Sequence, residues 1–200
     1  LDAVAAVLAG SANTALVAAL SSRGVRAVGL TGADDALGLS ARVSSMRTVS
    51  GSSVDPGLVG EPVPAGSTLV TDLCAGGYVP VIACIGMTED GALLNVNADV
   101  MAAHVAAATG ASRLLVAGST PGVLDAGGKV IDVLDATALD AMLDDGTATA
   151  GMIAKLRACR TALDAGVTDV RIVNGRDPGM SAGTILVGSV TSRHPITENG

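Results

Sequence analysis

Residues 91–110 read GALLNVNADVMAAHVAAATG, an apolar run followed by a polar cluster and a stretch almost without charge. The polar cluster consists of Asn95, Asn97 and Asp99. Asn and Asp at a helix start accept hydrogen bonds from free backbone N–H groups and favour the helix dipole, so capping is the simplest role. One cap needs only one side chain, however, and buried polar side chains need partners. The cluster therefore indicates a cap, or a polar binding site at the mouth of a buried helix.

The pattern around this stretch predicts an α/β fold. Apolar runs at 25–30, 78–85, 113–117, 170–173 and 184–187 predict strands, and helices are predicted at 1–9, 13–23, 67–75, 99–109, 137–145 and 151–165, most of them closed by glycine. Residues 41–49 resemble an edge strand, and the turn-rich residues 51–66 predict a hairpin or flap. Alternating strands and helices are typical of a mainly parallel sheet, so we expect one domain with three α/β/α layers.

Composition limits the possible functions. The 200 residues carry a net charge of −7, and the Lys and Arg residues are scattered singly, which argues against nucleic acid and anionic membrane surfaces as partners. Cys74, Cys84 and Cys159 show no CxxC spacing, which favours free thiols in a reducing compartment. His104 is expected to be a packed core histidine, because no second His or Cys follows at metal spacing. We therefore expect a cytoplasmic protein without a metal site of its own or a membrane partner.

Residues 147–159, TATAGMIAKLRAC, place Lys155 in the first two turns of a predicted helix. A cation there opposes the helix dipole. A surface lysine whose stem lies along the protein is the usual explanation. The other explanation is a phosphate at the helix mouth, with Lys155 completing its cage and with Thr147 and Thr149 adding hydroxyl groups. The residues alone favour neither explanation.

The loop 117–128, AGSTPGVLDAGG, follows a predicted strand and is rich in small residues. Its backbone N–H groups are suited to the phosphates or base of a nucleotide. The sequence is not a Walker A motif, and no strand end carries GxGxxG, so a plain strand-to-helix connection is the default interpretation.

Several segments together carry a family resemblance. They are GYVPVIACIG (77–86), TEDGALLNVNAD (88–99), ATGASRLL (108–115), PGVLDAGGKVI (121–131) and GMIAKLRAC (151–159), with LAGSANTALV (8–17), VRAVGLTGADD (25–35) and GLVGE (57–61) upstream. In this order, over almost the whole chain, they resemble the N-acetylglutamate kinases of the amino acid kinase family. The NVNAD run is specific within that family.

The resemblance implies transfer of the ATP γ-phosphoryl group to the side-chain carboxylate of N-acetyl-L-glutamate, in arginine biosynthesis. It implies that Asn95 and Asn97 bind this substrate, that Asp99 orients the catalytic lysines, and that Lys155 stabilises charge on the transferred phosphoryl group. Such chemistry asks the protein mainly for positioning and for cations, which agrees with the lack of a His or Cys constellation.

The resemblance also implies an organisation of the chain. Residues 1–110 form mainly the acceptor and dimer lobe, residues 111–200 form mainly the nucleotide lobe, and the protein is a homodimer or a larger ring. Mg²⁺ accompanies the nucleotide. The residues implied to line the ATP site are Ser119, Thr120, Gly122, Leu124, Thr147 and Thr149.

The chain departs from the family pattern in three places. No K-x-G-G strand or glycine-rich loop precedes Leu1, so we expect the N-terminal strands to be absent and the chain alone to be inactive. Ser119 replaces the usual acidic residue of the nucleotide loop, and the segment after Arg176 is short. Two alternatives remain open. One is a non-catalytic paralogue that binds a nucleotide or an acyl-amino acid, and the other is a sibling kinase for an N-acylated aminoadipate or a carrier-bound substrate.

Overall fold

The computed structural model describes residues 1–47, 51–144, 149–177 and 179–188. The helices are α1 Asp2–Ser21, α2 Leu69–Ala75, α3 Ala98–Ala108, α4 Ala136–Asp144 and α5 Ala150–Asp164. The strands are β1 Ala27–Thr31, β2 Ser40–Arg42, β3 Met46–Arg47, β4 Ser53–Val54, β5 Val59–Pro62, β6 Val79–Ala83, β7 Ile85–Met87, β8 Leu93–Val96, β9 Arg113–Gly118, β10 Val133–Asp135, β11 Asp169–Asn174 and β12 Gly183–Val187. Helices and strands mix along the chain and the longest strand pairings are parallel, so the predicted α/β fold is confirmed.

The described strands form four sheets. β1 pairs in parallel with β6, while β9, β11, β12 and β10 form a four-stranded sheet in which β9 and β11 are parallel. β2, β5, β8 and β7 form the second four-stranded sheet, and β3 pairs with β4 in an antiparallel hairpin. The hairpin predicted within 51–66 is not formed there, because β4 and β5, the two strands of this range, pair with β3 and with β2 and β8 instead. The single edge strand predicted at 41–49 is wrong: β2 and β3 are separate strands with different partners, and residues 48–49 lie outside the described ranges.

The largest core lies between the β9-containing sheet and helices α3, α4 and α5. Its side chains are aliphatic or small, which lets the helices pack closely on the sheet. Alternate residues of β9 and β11 point into it, as the period of a strand requires. The main buried residues are Ala103, Ala106, Leu114, Val116, Leu134, Leu139, Leu156, Cys159, Ala162, Val170, Ile172 and Leu186.

Helix α1 runs without a break from Asp2 to Ser21, so the predicted end at Gly10 is wrong. Residues Ala6–Ala12 form π-helical turns, and Gly10 lies within them. A Cβ atom at Gly10 would meet no other atom within 4 Å, so no close approach requires a glycine there. The predicted stop at Gly24 agrees with the structure, because this residue adopts φ 81° just after the helix.

Among the described residues, α1 is the one helix long and apolar enough to cross a membrane, judged by length and composition alone. Only 6% of its most apolar window is buried within the chain. The signal for this span was present in the sequence, since residues 3–22 contain no charged side chain, but no such span was predicted. A helix covered by another protein surface has the same properties, so the absence of a membrane partner stays a prediction.

Asn13 attaches α1 to the parallel pair β1–β6. Its side chain is buried, and its Nδ2 donates to the carbonyl oxygens of Val81 at 2.7 Å and Leu30 at 3.5 Å. A Cβ atom at Gly29 would lie 2.2 Å from Asn13 Oδ1, so only glycine allows this approach. A polar contact therefore fixes the position of an otherwise apolar helix.

A groove of about 540 Å³ runs between α1 and α3. Val81 and Ala83 of β6 line it together with Leu114 of β9. Within the described residues, β6 pairs only with β1 and β9 only with β11, so both strands have an unpaired edge. Such an edge position in β6 is compatible with Pro80, which lacks a backbone N–H group.

Candidate functional site

The polar cluster lies at the junction of β8 and α3. Asn95 lies in β8 and is half-buried, and its side chain forms no hydrogen bond with the rest of the described chain. Asn97 has extended backbone angles and caps α3: its Oδ1 accepts from the backbone N–H groups of Asp99 at 2.9 Å and Val100 at 3.2 Å. The capping explanation therefore holds for Asn97, which keeps only its Nδ2 group for a ligand. Asn95 keeps its whole amide.

Asp99 and Lys155 form an ion pair between α3 and α5. The Nζ atom of Lys155 donates to both carboxylate oxygens of Asp99, at 2.8 Å and 3.0 Å. The two side chains are 19% and 23% exposed, so the pair is shielded from water more than a surface pair is, and its attraction is screened less. The ammonium group is consequently held in one position.

Lys155 also reaches the start of the candidate nucleotide loop. A Cβ atom at Gly118, the last residue of β9, would lie 3.6 Å from Lys155 Cε and 3.8 Å from Thr120 Oγ1. Thr120 is half-buried, and Ser119 is exposed. This is the carboxyl end of a parallel strand, where α/β proteins bind their ligands. The structure thus brings Asp99, Lys155, Ser119 and Thr120 to one place.

The next part of the loop is fixed by β12 instead. The hydroxyl of Thr184, which is fully buried, accepts from the backbone N–H of Val123 at 2.8 Å. A Cβ atom at Gly122 would lie 2.8 Å from the same hydroxyl, so this glycine permits the close approach. Leu124 is 38% exposed at the loop surface. Gly122 therefore lies against the protein core, whereas Leu124 is open to a ligand.

The end of the loop closes on itself. The carboxylate of Asp125 accepts from the backbone N–H groups of Gly127 at 2.8 Å and Lys129 at 2.9 Å. These N–H groups are already used within the chain. Backbone donors for a phosphate would therefore come from the first half of the loop, next to Lys155.

Thr149 caps α5, and its Oγ1 accepts from the backbone N–H of Met152 at 3.4 Å. Thr149 is exposed, so its hydroxyl remains accessible at the helix start. Lys155 lies in the second turn of this helix, as predicted. Thr147 lies outside the described residues.

Cys159 is a neighbour of the ion pair that the sequence analysis did not assign to the site. It lies one helical turn after Lys155 and is fully buried. Burial, together with the negative charge of Asp99, raises the pKa of the Cys159 thiol to about 12, while Lys155 acts in the opposite direction. The thiol is therefore neutral and packs beside the pair. Its spacing of four residues from Lys155 was the available signal.

The loop after β11 is a second element without a predicted site residue. The backbone N–H of Gly175 donates to the carbonyl of Gly118 at 2.8 Å, and the Oδ1 of Asn174 accepts from the N–H of Arg176 at 3.0 Å. This loop therefore borders the nucleotide loop. Within the described ranges, no cluster of three or more His, Cys, Asp or Glu residues could hold a metal ion.

Residues 1–174 match the amino acid kinase family. The chain belongs to the amino acid kinase family. It is 40% identical over 176 residues to the acetylglutamate kinase of Sphingopyxis alaskensis, an alignment that covers 86% of this chain and 58% of the relative. It is 42% identical over 181 residues to the acetylglutamate kinase of Solibacter usitatus, which covers 90% of this chain and 66% of that relative. The chain thus spans about three fifths of these relatives.

The fold of this chain also resembles that of a solved structure. The crystal structure of smu.665 from Streptococcus mutans UA159 superposes with a TM-score of 0.73, covers 92% of this chain and 69% of the other, and is 24% identical. At this identity the likeness concerns the fold alone. It agrees with the α/β architecture expected from the sequence.

Proposed function

We propose that the protein phosphorylates the side-chain carboxylate of N-acetyl-L-glutamate with ATP. Its relatives from Sphingopyxis and Solibacter are named acetylglutamate kinase, which agrees with this reaction. The observation that carries this proposal is the bidentate Asp99–Lys155 pair, held beside the end of β9. A fixed, partly shielded cation at the carboxyl end of a parallel strand suits phosphoryl transfer, because that reaction needs charge stabilisation rather than a strong base.

In the proposed reaction, an oxygen of the acceptor carboxylate forms a bond to the γ-phosphorus of ATP. The bond from this phosphorus to the β,γ-bridging oxygen breaks, and ADP leaves with the electron pair. Lys155 stabilises the negative charge on the phosphoryl oxygens, and Asp99 keeps the ammonium group from turning away. The product is an acyl phosphate, and the acceptor loses no proton because it enters as a carboxylate.

The remaining site residues are assigned from the resemblance and from their places in the fold. Asn95 has a free amide and would bind the substrate carboxylate, with the Nδ2 group of Asn97 beside it. The nucleotide, accompanied by Mg²⁺, would lie along the loop after β9 and the start of α5. The residues proposed to contact it are Ser119, Thr120, Gly122, Leu124, Thr147 and Thr149.

We propose two further properties on the same basis. Residues 1–110 would form mainly the acceptor and dimer lobe, and residues 111–200 mainly the nucleotide lobe, so that the Asp99–Lys155 pair joins the two. The protein would be a cytoplasmic homodimer or larger homo-oligomer. The exposed apolar side chains of α1, among them Val7 and Leu16, are consistent with a helix that another surface covers.

The test uses two proteins, because the chain covers only part of its relatives. One is the 200-residue chain, and the other is a chimera that adds the segments of the Sphingopyxis relative that the chain does not match. We expect ATP-dependent hydroxamate formation from N-acetyl-L-glutamate and hydroxylamine in the chimera. Lys155→Gln and Asp99→Asn are each expected to lower kcat by about 10²–10³-fold. Arg23→Gln, a change at an exposed position in the turn after α1, is the control and should leave the rate unchanged.

Each alternative has its own outcome in this assay. Saturable nucleotide binding without ADP release, in a folded chimera, would support the non-catalytic paralogue and reject the kinase. A higher kcat/KM for N-acetyl-aminoadipate than for N-acetyl-L-glutamate would support the sibling kinase. An unchanged rate in Lys155→Gln would reject the assigned role of the ion pair.

A further inference from the structure

A second cavity, of about 500 Å³, lies on a different face of α3 from the groove beside α1. α3 packs against α5 on one side and against β5 on the other, and the cavity fills the space between them. Its volume falls within the range of pockets that hold small molecules, which is roughly 300–1,000 Å³.

The floor of this cavity is apolar and made of small side chains. Val100, Ala103 and Ala107 come from α3, and Ala154 and Ala158 come from α5. Alanines at these positions leave space that larger residues would fill. The floor therefore suits the aliphatic part of a ligand.

Two opposite charges lie on different walls. Arg157 is exposed on α5, and Glu61 is exposed on β5. Neither side chain forms an ion pair or a hydrogen bond with another described residue. The two groups also form no salt bridge with each other. A ligand with both a negative and a positive group would therefore give Arg157 and Glu61 each a partner of opposite charge.

His104 adds a hydrogen-bonding group to the same cavity. Its Nε2 lies 2.9 Å from the carbonyl oxygen of Leu37. A carbonyl can only accept, so Nε2 carries the proton in this contact. The Nδ1 of a neutral ring is then an acceptor, which suits an ammonium group rather than a carboxylate.

We propose that this cavity binds a small zwitterion, an α-amino acid with a branched aliphatic side chain. Its carboxylate pairs with Arg157, its ammonium group pairs with Glu61 and faces His104, and its side chain lies on the alanine floor. Such binding would touch both helices of the ion pair: Asn97, the cap of α3, also lines the cavity, and Ala154 precedes Lys155. Occupation would therefore reinforce the α3–α5 contact.

The test measures binding to the 200-residue chain by isothermal titration and by ¹H–¹⁵N chemical shifts, so it does not depend on kinase activity. The probe is L-leucine, with two matched analogues of the same skeleton. 4-Methylpentanoate lacks the ammonium group, and 3-methylbutylamine lacks the carboxylate. We expect saturable binding of L-leucine and affinities lower by about tenfold or more for both analogues, because each loses one charge-assisted contact. Shifts should occur at Ala103, Ala107 and Ala158.

Variants separate this site from a general apolar pocket. Arg157→Gln and Glu61→Gln should each weaken L-leucine binding by about tenfold. Arg23→Gln and Glu89→Gln, exposed charges remote from the cavity wall, should leave it unchanged. All four substitutions are at exposed positions, so folding should persist, and chemical shift dispersion verifies this. Equal affinity for L-leucine and 4-methylpentanoate, unchanged binding in Arg157→Gln, or no saturable binding of L-leucine would each overturn the proposal.

Discussion

Helices α1 and α3 have similar compositions but opposite surroundings. Both consist mainly of Ala and Val, with Leu added in α1 and Met in α3, and each has a single Asp in its first turn. In α3, Met101 and Ala103 are buried against the rest of the chain, whereas in α1 Val7 and Leu16 are more than half exposed. The one buried residue of α1 is polar, Asn13. An apolar composition thus indicates that a helix needs a covering surface, but the strands and helices available to it decide whether the chain provides that surface.

The largest effect should come from placing a charge on equivalent apolar positions of the two helices. Ala103→Asp buries an unpaired carboxylate against α5 and should lower the free energy of unfolding by about 4 kcal/mol or more. Ala15→Asp, on the exposed part of α1, should change it by only about 0.5 kcal/mol. Urea unfolding followed by circular dichroism measures both values. Similar losses would mean that α1 is covered to the same extent as α3.

The second effect concerns the polar attachment of α1. Asn13→Leu removes the donors to the Val81 and Leu30 carbonyls and leaves both without this partner. We expect a loss of about 2 kcal/mol in the free energy of unfolding. Thr14→Leu adds the same side chain at the next, exposed position and serves as the matched control. If the two variants were equally stable, Asn13 would have no special role in holding α1.

The smallest effect is a pH dependence of the free energy of unfolding, and it comes from Cys159 in α5, the helix that packs against α3. The pKa of Cys159 is raised from an ordinary value of 9.0 to about 12, chiefly by burial. Between these values the unfolded chain has lost the proton while the folded chain keeps it, so stability falls as pH rises. From pH 8 to pH 10 the expected loss is about 1.4 kcal/mol.

Cys159→Ala isolates this contribution, because it removes the thiol and therefore its pH dependence. Cys74→Ala is the control, since Cys74 is exposed and its removal should leave the alkaline loss intact. Unfolding is measured in urea at both pH values. An alkaline loss of the same size in Cys159→Ala would show that another group is responsible.

The alternation of strands and helices was predictable, because the hydrophobic periodicity of each element depends only on residues close together in the sequence. The helices at 99–109 and 151–165 and the strands at 113–117 and 170–173 agree with the structure to within two residues. Shorter elements were missed: β10 has three residues and gives no clear alternation. Gly10 was assigned as a helix end from its type alone, although an interior glycine costs a helix only about 1 kcal/mol.

The site was predictable only in part. Local sequence identified the start of α3 as polar, and the structure assigns Asn97 to the cap, which local rules also allowed. No spacing rule could have paired Asp99 with Lys155, which are 56 positions apart. That pairing depends on the packing of α3 on α5, and the expectation came from the family resemblance. The Thr184 contact that holds Val123 likewise depends on a strand 61 residues away.

β6 and β9 each have an edge without a partner strand in the described ranges, which has a practical consequence for handling the 200-residue chain. Each edge has backbone groups that a strand from another molecule can use, so assembly into strand-paired aggregates should depend steeply on concentration. Pro80 removes one donor from β6, whereas β9 contains no proline. Of these two edges, β9 therefore keeps the more complete row of backbone donors. Dilute storage would preserve the chain better than added salt, which screens the repulsion between molecules of net charge −7.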